Sequence, residues 1–410
     1  MGNLTPDPLY PGGTRTAVIW RKEAMKSLPI RLLNSPIALA IVLAVAWHAG
    51  NAFGGDSAKR PWSPEAAAKY LDGRADWWLG WSGAARGQGT ACLSCHTTVP
   101  FALARPALSQ KLHEKTAGNV EKKLIGILDK RVQNWDKISA DAGPDKNPFI
   151  PFYGSKRKPS ALGTEAVLNA LVLINFDVRR GNDALRPESK QALAHMWEQQ
   201  QKNGAWLWLD FGLNPWESDG AYFGASLAAL AVGKAGKRYY DQPNIRTNVD
   251  ALKKFLNTRY ADQPLHHRLT VLWASSALPG ILTPAQRKAL IAEIHSIQET
   301  DGGWSLARLG KKMLDKGNWQ SHGKYPEEVS DGYATGLVVL ALKHAGVGMD
   351  DPKLKQGIAW LESRQKDGTW PVSYPNRPRD PQSDIGKFMR DAATSFAILA
   401  LTEPAVRARE

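Results

Sequence analysis

One short turn motif, present in three copies, constrains the possible fold of this sequence more than any other feature. It reads QKNGAW at 201–206, QETDGGW at 298–304 and QKDGTW at 365–370. Each copy follows an amphipathic helical segment and precedes an apolar segment rich in small residues. Glycine after Asp or Asn ends a helix because it accepts left-handed backbone. The Trp ring can pack between helices, and its N–H and the Gln amide can satisfy open helix-end carbonyls. The repeat therefore predicts an array of helical hairpins.

These turns resemble the QW motifs of the squalene cyclase and protein prenyltransferase superfamily. The resemblance covers residues 155–405 and, less closely, 60–115. It implies an all-α fold, an α/α toroid in which inner and outer helices alternate along the chain. The sequence contains no Val, Ile and Tyr alternation long enough for a strand, which agrees with an all-α prediction.

The chain divides into three parts by composition. Residues 1–52 are predicted to be a leader with a signal peptide starting at Met25, because basic residues precede an apolar run at 37–47 and small residues follow it. Residues 53–150 are predicted to be an N-terminal helical segment, and residues 151–405 the toroid. This leader predicts an exported, periplasmic protein. The alternative is an uncleaved leader that anchors the protein to a membrane through residues 30–49.

Composition limits the classes of partner. The 410 residues are 43% apolar and 22% charged, which is enough to bury a large core. The net charge of +14 suits an anionic lipid surface, but it also suits an ordinary basic soluble surface. Membrane association therefore stays open. Nucleic-acid binding is not expected, because no basic run has interleaved aromatic residues.

The chain has two cysteines, and they stand in the string Cys92-Leu-Ser-Cys95-His96. Cys-x-x-Cys-His resembles the attachment motif of a c-type haem, in which two thioethers hold the porphyrin and the histidine binds the iron. The resemblance implies haem c bound through Cys92 and Cys95, with His96 as the metal ligand. Two alternatives stay open, a zinc site completed by a carboxylate and a disulfide with no cofactor.

The sequence does not decide between several candidates for a second axial ligand of that iron. The candidates are the following histidines and methionines: His113, His195, His322, Met196, Met313 and Met389.

Three aspartates are candidate catalytic residues. Asp219, Asp331 and Asp391 each stand about one turn before an apolar, small-residue-rich helix, and Glu165 is placed similarly. If those helices line the centre of a toroid, the aspartates and His96 ring the mouth of its cavity. The alternative for each Asp is a helix N-cap, where a carboxylate satisfies open N–H groups and the helix dipole.

Comparison with the resembled enzymes limits the enzyme prediction. Prenyltransferases bind zinc through an Asp-x-Cys pair, whereas Asp331 here is followed by Tyr333 in the cysteine position. The Asp-x-Asp-Asp acid of triterpene cyclases has only Asp350 and Asp351 as a partial counterpart. The first expectation is an exported haem protein with a redox role, a redox partner and a hydrophobic, isoprenoid-like ligand. The alternatives are a cofactor-free toroid that binds lipid or protein, and a divergent terpenoid cyclase with Asp219 or Asp331 as its acid.

Overall fold

Fifteen α-helices and no named strand make up the part of the chain that the computed structural model describes. The all-α prediction is confirmed. The predicted leader at 1–52 lies outside the described residues. The description covers residues 62–140, 148–152, 157–181, 184–211, 214–217, 219–315 (backbone alone for 311–315), 328–375 and 379–406.

The helices follow one another with short connections, several of them 3₁₀ turns. They are α1 Pro64–Gly80, α2 Thr98–Lys111, α3 Asn119–Gln133, α4 Trp135–Ser139, α5 Lys158–Arg179, α6 Pro187–Glu198, α7 Gly220–Lys234, α8 Lys237–Tyr240, α9 Arg246–Arg259, α10 Leu265–Ala277, α11 Pro284–Ser296, α12 Leu306–Asp315, α13 Gly332–His344, α14 Pro352–Arg364 and α15 Phe388–Thr402.

Six of these helices contact one another in a closed order, which we call the six-helix cycle. The order is α2, α5, α7, α10, α13, α15 and back to α2. These helices are apolar nearly all round, as helices buried on every side are. The close approach of neighbouring helices in this cycle depends on small residues. A side chain at Gly336 would lie 2.6 Å from the backbone of Phe396, and one at Gly233 would lie 2.5 Å from the backbone of Ala277.

Amphipathic helices pack outside the six-helix cycle. α6 lies on α5, α9 on α7, and α14 on α13, while α1 contacts both α2 and α15. Their apolar stripes are buried and their other faces are exposed, for example in α9, where Val249, Leu252, Phe255 and Leu256 are buried. An inner cycle with helices outside it supports the toroid, which stays a prediction.

The Trp turns work as the sequence predicts. Each ring is buried, and each indole N–H donates to a carbonyl near the end of the preceding helix. The bonds run from Trp206 to Met196 (2.7 Å), from Trp304 to Ile294 (2.9 Å) and from Trp370 to Leu361 (2.7 Å).

The glutamines of the turns join each hairpin to the next outer helix. Gln298 Nε2 donates to Lys353 O at 2.9 Å, just inside α14. In the first turn the equivalent residue is Gln200, whose Nε2 donates to Asn248 O at 3.0 Å and to the turn itself. Gln201, which the sequence pattern indicated, is exposed and bonds only near its own turn.

The described residues from 62 onward belong to one compact unit. The predicted division at 150 stays a prediction. In the described part of the chain, α5 is the one helix with the length and hydropathy of a membrane span. Within its apolar stretch, 89% is buried inside the fold.

We expect Trp370→Ala to lower the free energy of unfolding by about 3–5 kcal/mol, the usual loss when a buried large aromatic is removed. Trp370 is 1% exposed, and its ring packs beside Trp62 with centroids 6.0 Å apart. Chemical denaturation measures the change. The control is Lys366→Ala in the same turn, an exposed position where the change should stay within about 0.5 kcal/mol. A loss below about 1 kcal/mol at Trp370 would contradict its role in packing.

Candidate functional site around His96

The Cys-x-x-Cys-His segment lies in the connection between α1 and α2, and its first cysteine is held by backbone bonds. Cys92 N–H donates to Ala84 O at 2.8 Å, and the Trp78 indole N–H donates to Cys92 O at 2.8 Å. Trp78 belongs to α1, so the carbonyl of Cys92 is tied to that helix. The preceding turn reverses the chain at Gly87 and Gly89, both with positive φ.

The second cysteine and His96 lie in a turn that leads into α2. Ser94 Oγ accepts from the N–H groups of Thr97 (3.2 Å) and Thr98 (3.1 Å). In return, Thr98 Oγ1 accepts from Ser94 N–H at 2.9 Å. These reciprocal bonds hold the intervening Cys95 and His96 in one conformation, and they satisfy N–H groups at the start of α2.

Both thiols are free and shielded from water. Cys92 is fully buried and Cys95 is half-buried. Burial raises the pKa of the Cys92 thiol, and burial together with the charge of Glu217 raises the pKa of the Cys95 thiol. Such thiols are neutral at physiological pH. They lack the lowered pKa of nucleophilic or redox-active cysteines.

The His96 ring lies in an aromatic cage. It stacks on Phe388 with centroids 3.8 Å apart and meets Trp78 edge-on at 5.1 Å. Trp216 approaches from another side, at 6.0 Å. Burial, with the positive charges of Arg379 and Arg74, holds the pKa of His96 well below its ordinary range. The imidazole is therefore neutral, which is the state that binds metals.

A hydrogen-bond relay fixes which nitrogen of His96 carries the proton. Thr97 Oγ1 donates to Asp391 Oδ2 at 2.7 Å, and it lies 2.9 Å from His96 Nδ1. A hydroxyl has one hydrogen to donate, so Thr97 must accept from His96 Nδ1–H. Nε2 then carries a free lone pair, and in the described residues it makes no hydrogen bond. A carboxylate behind the N–H of an imidazole orients the ring and raises its basicity as a ligand.

Asp391 anchors this relay. Its carboxylate accepts from Arg74 at 2.9 and 3.1 Å, from Tyr70 Oη at 2.7 Å and from Thr97. Burial raises the pKa of Asp391, and the charge of Arg74 and the three donors oppose that rise. Because every contact is a donor, we assign the ionised form. The sequence pattern predicted that Asp391 stands about one turn before its helix. The structure places it inside the first turn of α15.

The other two predicted aspartates have no hydrogen bond to His96 in the described structure. Asp331 caps α13, accepting from Ala334 N–H at 2.9 Å and from Leu306 N–H at 2.7 Å. Asp219 has a positive φ of 51° and makes no side-chain cap bond, and instead accepts from Gln263 Nε2 at 2.9 Å.

Glu165, the fourth carboxylate of the sequence pattern, also has a structural partner. It forms a fully buried ion pair with Arg131, with bonds of 2.5 and 2.9 Å. The sequence pattern placed three aspartates together with His96, and of these only Asp391 has a hydrogen-bonded link to it.

Cys95 lines an apolar cavity of about 20 Å³ inside the six-helix cycle. A volume of that size holds about one water molecule. The walls are formed by Cys95, Val99, Pro100, Leu103, Trp216, Phe223, Leu227, Thr270, Trp273, Tyr333, Leu337 and Phe396.

A buried polar chain beside this cavity was missed by sequence reasoning. Trp216 Nε1–H donates to Tyr333 Oη at 3.1 Å, and His266 Nε2 lies 2.8 Å from the same oxygen. His266 Nδ1 lies 2.9 Å from His267 Nδ1, and both histidines are fully buried at the start of α10. Burial lowers the pKa of His266 well below its ordinary range, and His267 adds to this effect. The signal was available as two adjacent histidines at the start of an apolar helix.

The described residues hold no group of three or more His, Cys, Asp and Glu side chains that could bind a metal ion. No family model matches the chain, and no curated protein matches it.

The donor chemistry fits a c-type haem, because two free thiols and an unprotonated imidazole nitrogen stand in one turn. The space beside Cys95 is smaller than a porphyrin, so the surrounding aromatic side chains must move apart to admit one.

We expect Thr97→Val to disrupt the relay and to lower the free energy of unfolding by about 1–3 kcal/mol, because it leaves the buried His96 Nδ1–H unpaired and removes one donor to Asp391, which keeps its bonds to Arg74. In ¹⁵N NMR of the cofactor-free protein, the Nδ1–H form of His96 should predominate and should lose this predominance in the variant. Thr97→Ser keeps the hydroxyl and should behave as wild type. An unchanged His96 spectrum in Thr97→Val would contradict the assigned tautomer.

We expect Asp331 to make stability depend on pH. Burial raises the pKa of Asp331 from 3.8 to about 7. The folded protein then holds this proton more tightly than the unfolded chain, so the contribution is complete below about pH 4 and is lost as pH rises through about 7. Three pKa units correspond to a change on the order of 4 kcal/mol.

The matched variant is Asp331→Asn, which keeps an acceptor for Ala334 N–H but does not titrate. The variant loses the hydrogen bond from Leu306 N–H, and this loss changes the free energy of unfolding by the same amount at every pH. Relative to this variant, wild type should lose stability between pH 4 and pH 8 in chemical denaturation. A difference between the two proteins that stays constant with pH would show that Asp331 titrates normally.

Proposed function

We propose that this chain is an exported haem c protein with a redox or electron-transfer role. In this proposal Cys92 and Cys95 hold the porphyrin covalently, and His96 Nε2 binds the iron. Cys95, which lines the apolar cavity inside the six-helix cycle, would hold the group at the edge of that interior.

One observation carries the proposal. The Asp391–Thr97 relay holds the His96 proton on Nδ1 and leaves Nε2 without a hydrogen-bond partner in the described chain. A metal-binding histidine has this arrangement, with its second nitrogen bonded to an oxygen that is itself held by a carboxylate. A histidine that served packing alone would need no buried charge behind it. Burying the charge of Asp391 is unfavourable unless Arg74 pairs with it, so packing alone does not account for this carboxylate.

When bound, a haem supplies one-electron chemistry at its iron. The protein's own residues act around it. Thr97 and Asp391 orient the His96 ring and raise its basicity, and Arg74 keeps Asp391 ionised. Phe388 and Trp78 exclude water from the ring. A dry, apolar surrounding tunes the reduction potential of an iron centre.

The same surroundings are apolar and would admit a hydrophobic ligand only after the cavity of about 20 Å³ beside Cys95 widens. The wall of the cavity beside Cys95 is aliphatic and aromatic, with Tyr333 and Thr270 as polar positions. The resemblance to squalene cyclases and prenyltransferases, together with the closed order of the six helices, supports a toroid whose interior takes an isoprenoid-like molecule. A redox partner and a periplasmic location complete the proposal, and the predicted leader supports export.

The alternatives have less support from the described contacts. A cyclase acid must face its substrate, whereas Asp331 is buried, caps α13 with both of its oxygens and does not line the cavity beside Cys95. Asp219 shares its Oδ2 between Gln263 and Arg259, with the Arg259 contact at 3.4 Å. A cofactor-free toroid would bind lipid or protein equally well in its apolar interior, but it gives no reason for the relay at His96.

The test is covalent haem. Protein from a host that exports and attaches haem should keep its colour after denaturation and show peroxidase activity on a gel, because thioether bonds survive unfolding. Cys92→Ala combined with Cys95→Ala should abolish this retention. His96→Ala should keep the covalent haem and change the visible spectrum, since the iron loses its nitrogen ligand.

Ser94→Ala is a control within the same turn and should retain haem, because Ser94 contributes only cap bonds. Colourless, metal-free protein from a host that loads a known c-type cytochrome would overturn the proposal. Colourless protein with one zinc per chain would favour the zinc alternative.

A further inference from the structure

A second cavity, far along the helices from His96, has a different character. Its volume is about 200 Å³, and it lies at the carboxyl ends of α10 and α13. His96, in contrast, lies beside the amino ends of α2 and α15. The lining includes Ser276, Gly280, Arg287, His344, Gly346 and Val406. Among the described residues, this lining includes Arg287 and His344 but no carboxylate.

Arg287 faces this cavity with most of its hydrogen-bonding capacity unused. One guanidinium nitrogen donates to Ala345 O at 3.0 Å. In the described residues Arg287 has no ion pair, so no carboxylate neutralises it. A guanidinium carries five N–H donors in a planar fork, and this fork matches the geometry of carboxylate and phosphate oxygens.

Both nitrogens of His344 are held by neighbouring side chains at the cavity. His344 Nε2 lies 2.7 Å from Glu403 Oε2 and donates to it. His344 Nδ1 lies 3.3 Å from Ser276 Oγ, whose hydroxyl also donates to Trp273 O at 2.7 Å. The ring is therefore fixed beside the cavity.

Glu403 is one carboxylate among several cations. It pairs with Arg179 as well as with His344. Burial alone would raise the pKa of Glu403, but His344, Lys234 and Arg179 lower it to about 2. Lys343 Nζ donates to Ala400 O, and burial lowers the pKa of Lys343.

Arg287 is the guanidinium in the described lining of this cavity, and no carboxylate stands beside it there. The ends of α10 and α13 each contribute roughly half a negative charge through the helix dipole. Arg287 reaches those ends through the single bond to Ala345 O, so its other N–H donors stay available. An anion in the cavity would accept from those donors.

We propose that this cavity binds the oxyanion group of a small molecule, a carboxylate or a phosphate, with Arg287 as its principal donor. A volume of about 200 Å³ equals that of roughly six or seven water molecules at about 30 Å³ each, which suits a small free anion. This inference does not rest on the haem proposal, because the two cavities share no residue.

The experiment is calorimetric titration of the full chain with inorganic phosphate and, separately, with citrate, at constant ionic strength. Wild type should show saturable binding of at least one of the two. Arg287→Gln should weaken that binding by about tenfold or more, the usual effect of losing a charge-assisted hydrogen bond. Lys288→Gln is the matched control, because it removes the same charge from the adjacent exposed residue and should change affinity less than about twofold.

Arg287→Lys tests the geometry, because it keeps the charge and loses the planar fork, and it should bind more weakly than wild type. Circular dichroism establishes that each variant is folded. Phosphate binding without citrate binding, or the reverse, assigns the chemical class of the ligand. Absence of saturable binding of either anion by wild type, or equal losses in Arg287→Gln and Lys288→Gln, would overturn the proposal.

Discussion

The structure depends on the bonds that a glutamine and a tryptophan make at the end of each outer helix. The indole N–H satisfies a carbonyl of the helix just completed, and the glutamine amide reaches the start of the next outer helix. The last of these turns closes the chain on itself. Ser63 N–H donates to Gln365 Oε1 at 2.6 Å, and Gln365 Nε2 donates to Ser63 O at 3.0 Å. This pair joins residues 302 positions apart, at the cap of α1.

Closure also creates the candidate site. Asp391 lies in α15, the last helix of the six-helix cycle. Thr97, 294 positions earlier, directly precedes α2, the first helix of that cycle. Arg74 and Tyr70, which hold Asp391, come from α1, whose start is tied to Gln365. A buried carboxylate needs all of these donors, because an unpaired buried charge is strongly unfavourable. The relay at His96 therefore forms only when the two ends of the chain meet.

Features that depend on short-range sequence pattern were predicted correctly. Contacts that form only when distant segments of the chain meet were missed. Helices, Trp turns and their N–H bonds followed from local spacing. The choice of Gln200 over Gln201 did not, because it depends on the distance to Asn248 in the next hairpin. Recurrence placed His96 with three aspartates, and the structure brings only Asp391 to it. The chain from Trp216 through Tyr333 to His266 escaped prediction for the same reason, since its members come from three distant segments.

Burial sets the order in which a covalent cofactor has to be added under the haem proposal. Cys92 has no exposed surface, and its pKa is raised, so in the folded protein its thiol is neither accessible nor ionised. The cavity beside Cys95 holds about one water molecule. Thioether formation must therefore precede the packing of Phe388 and Trp216 around His96. Both of these aromatic residues lie far along the chain from the cysteines, so an extended, newly exported chain would present the Cys-x-x-Cys-His segment before closure buries it.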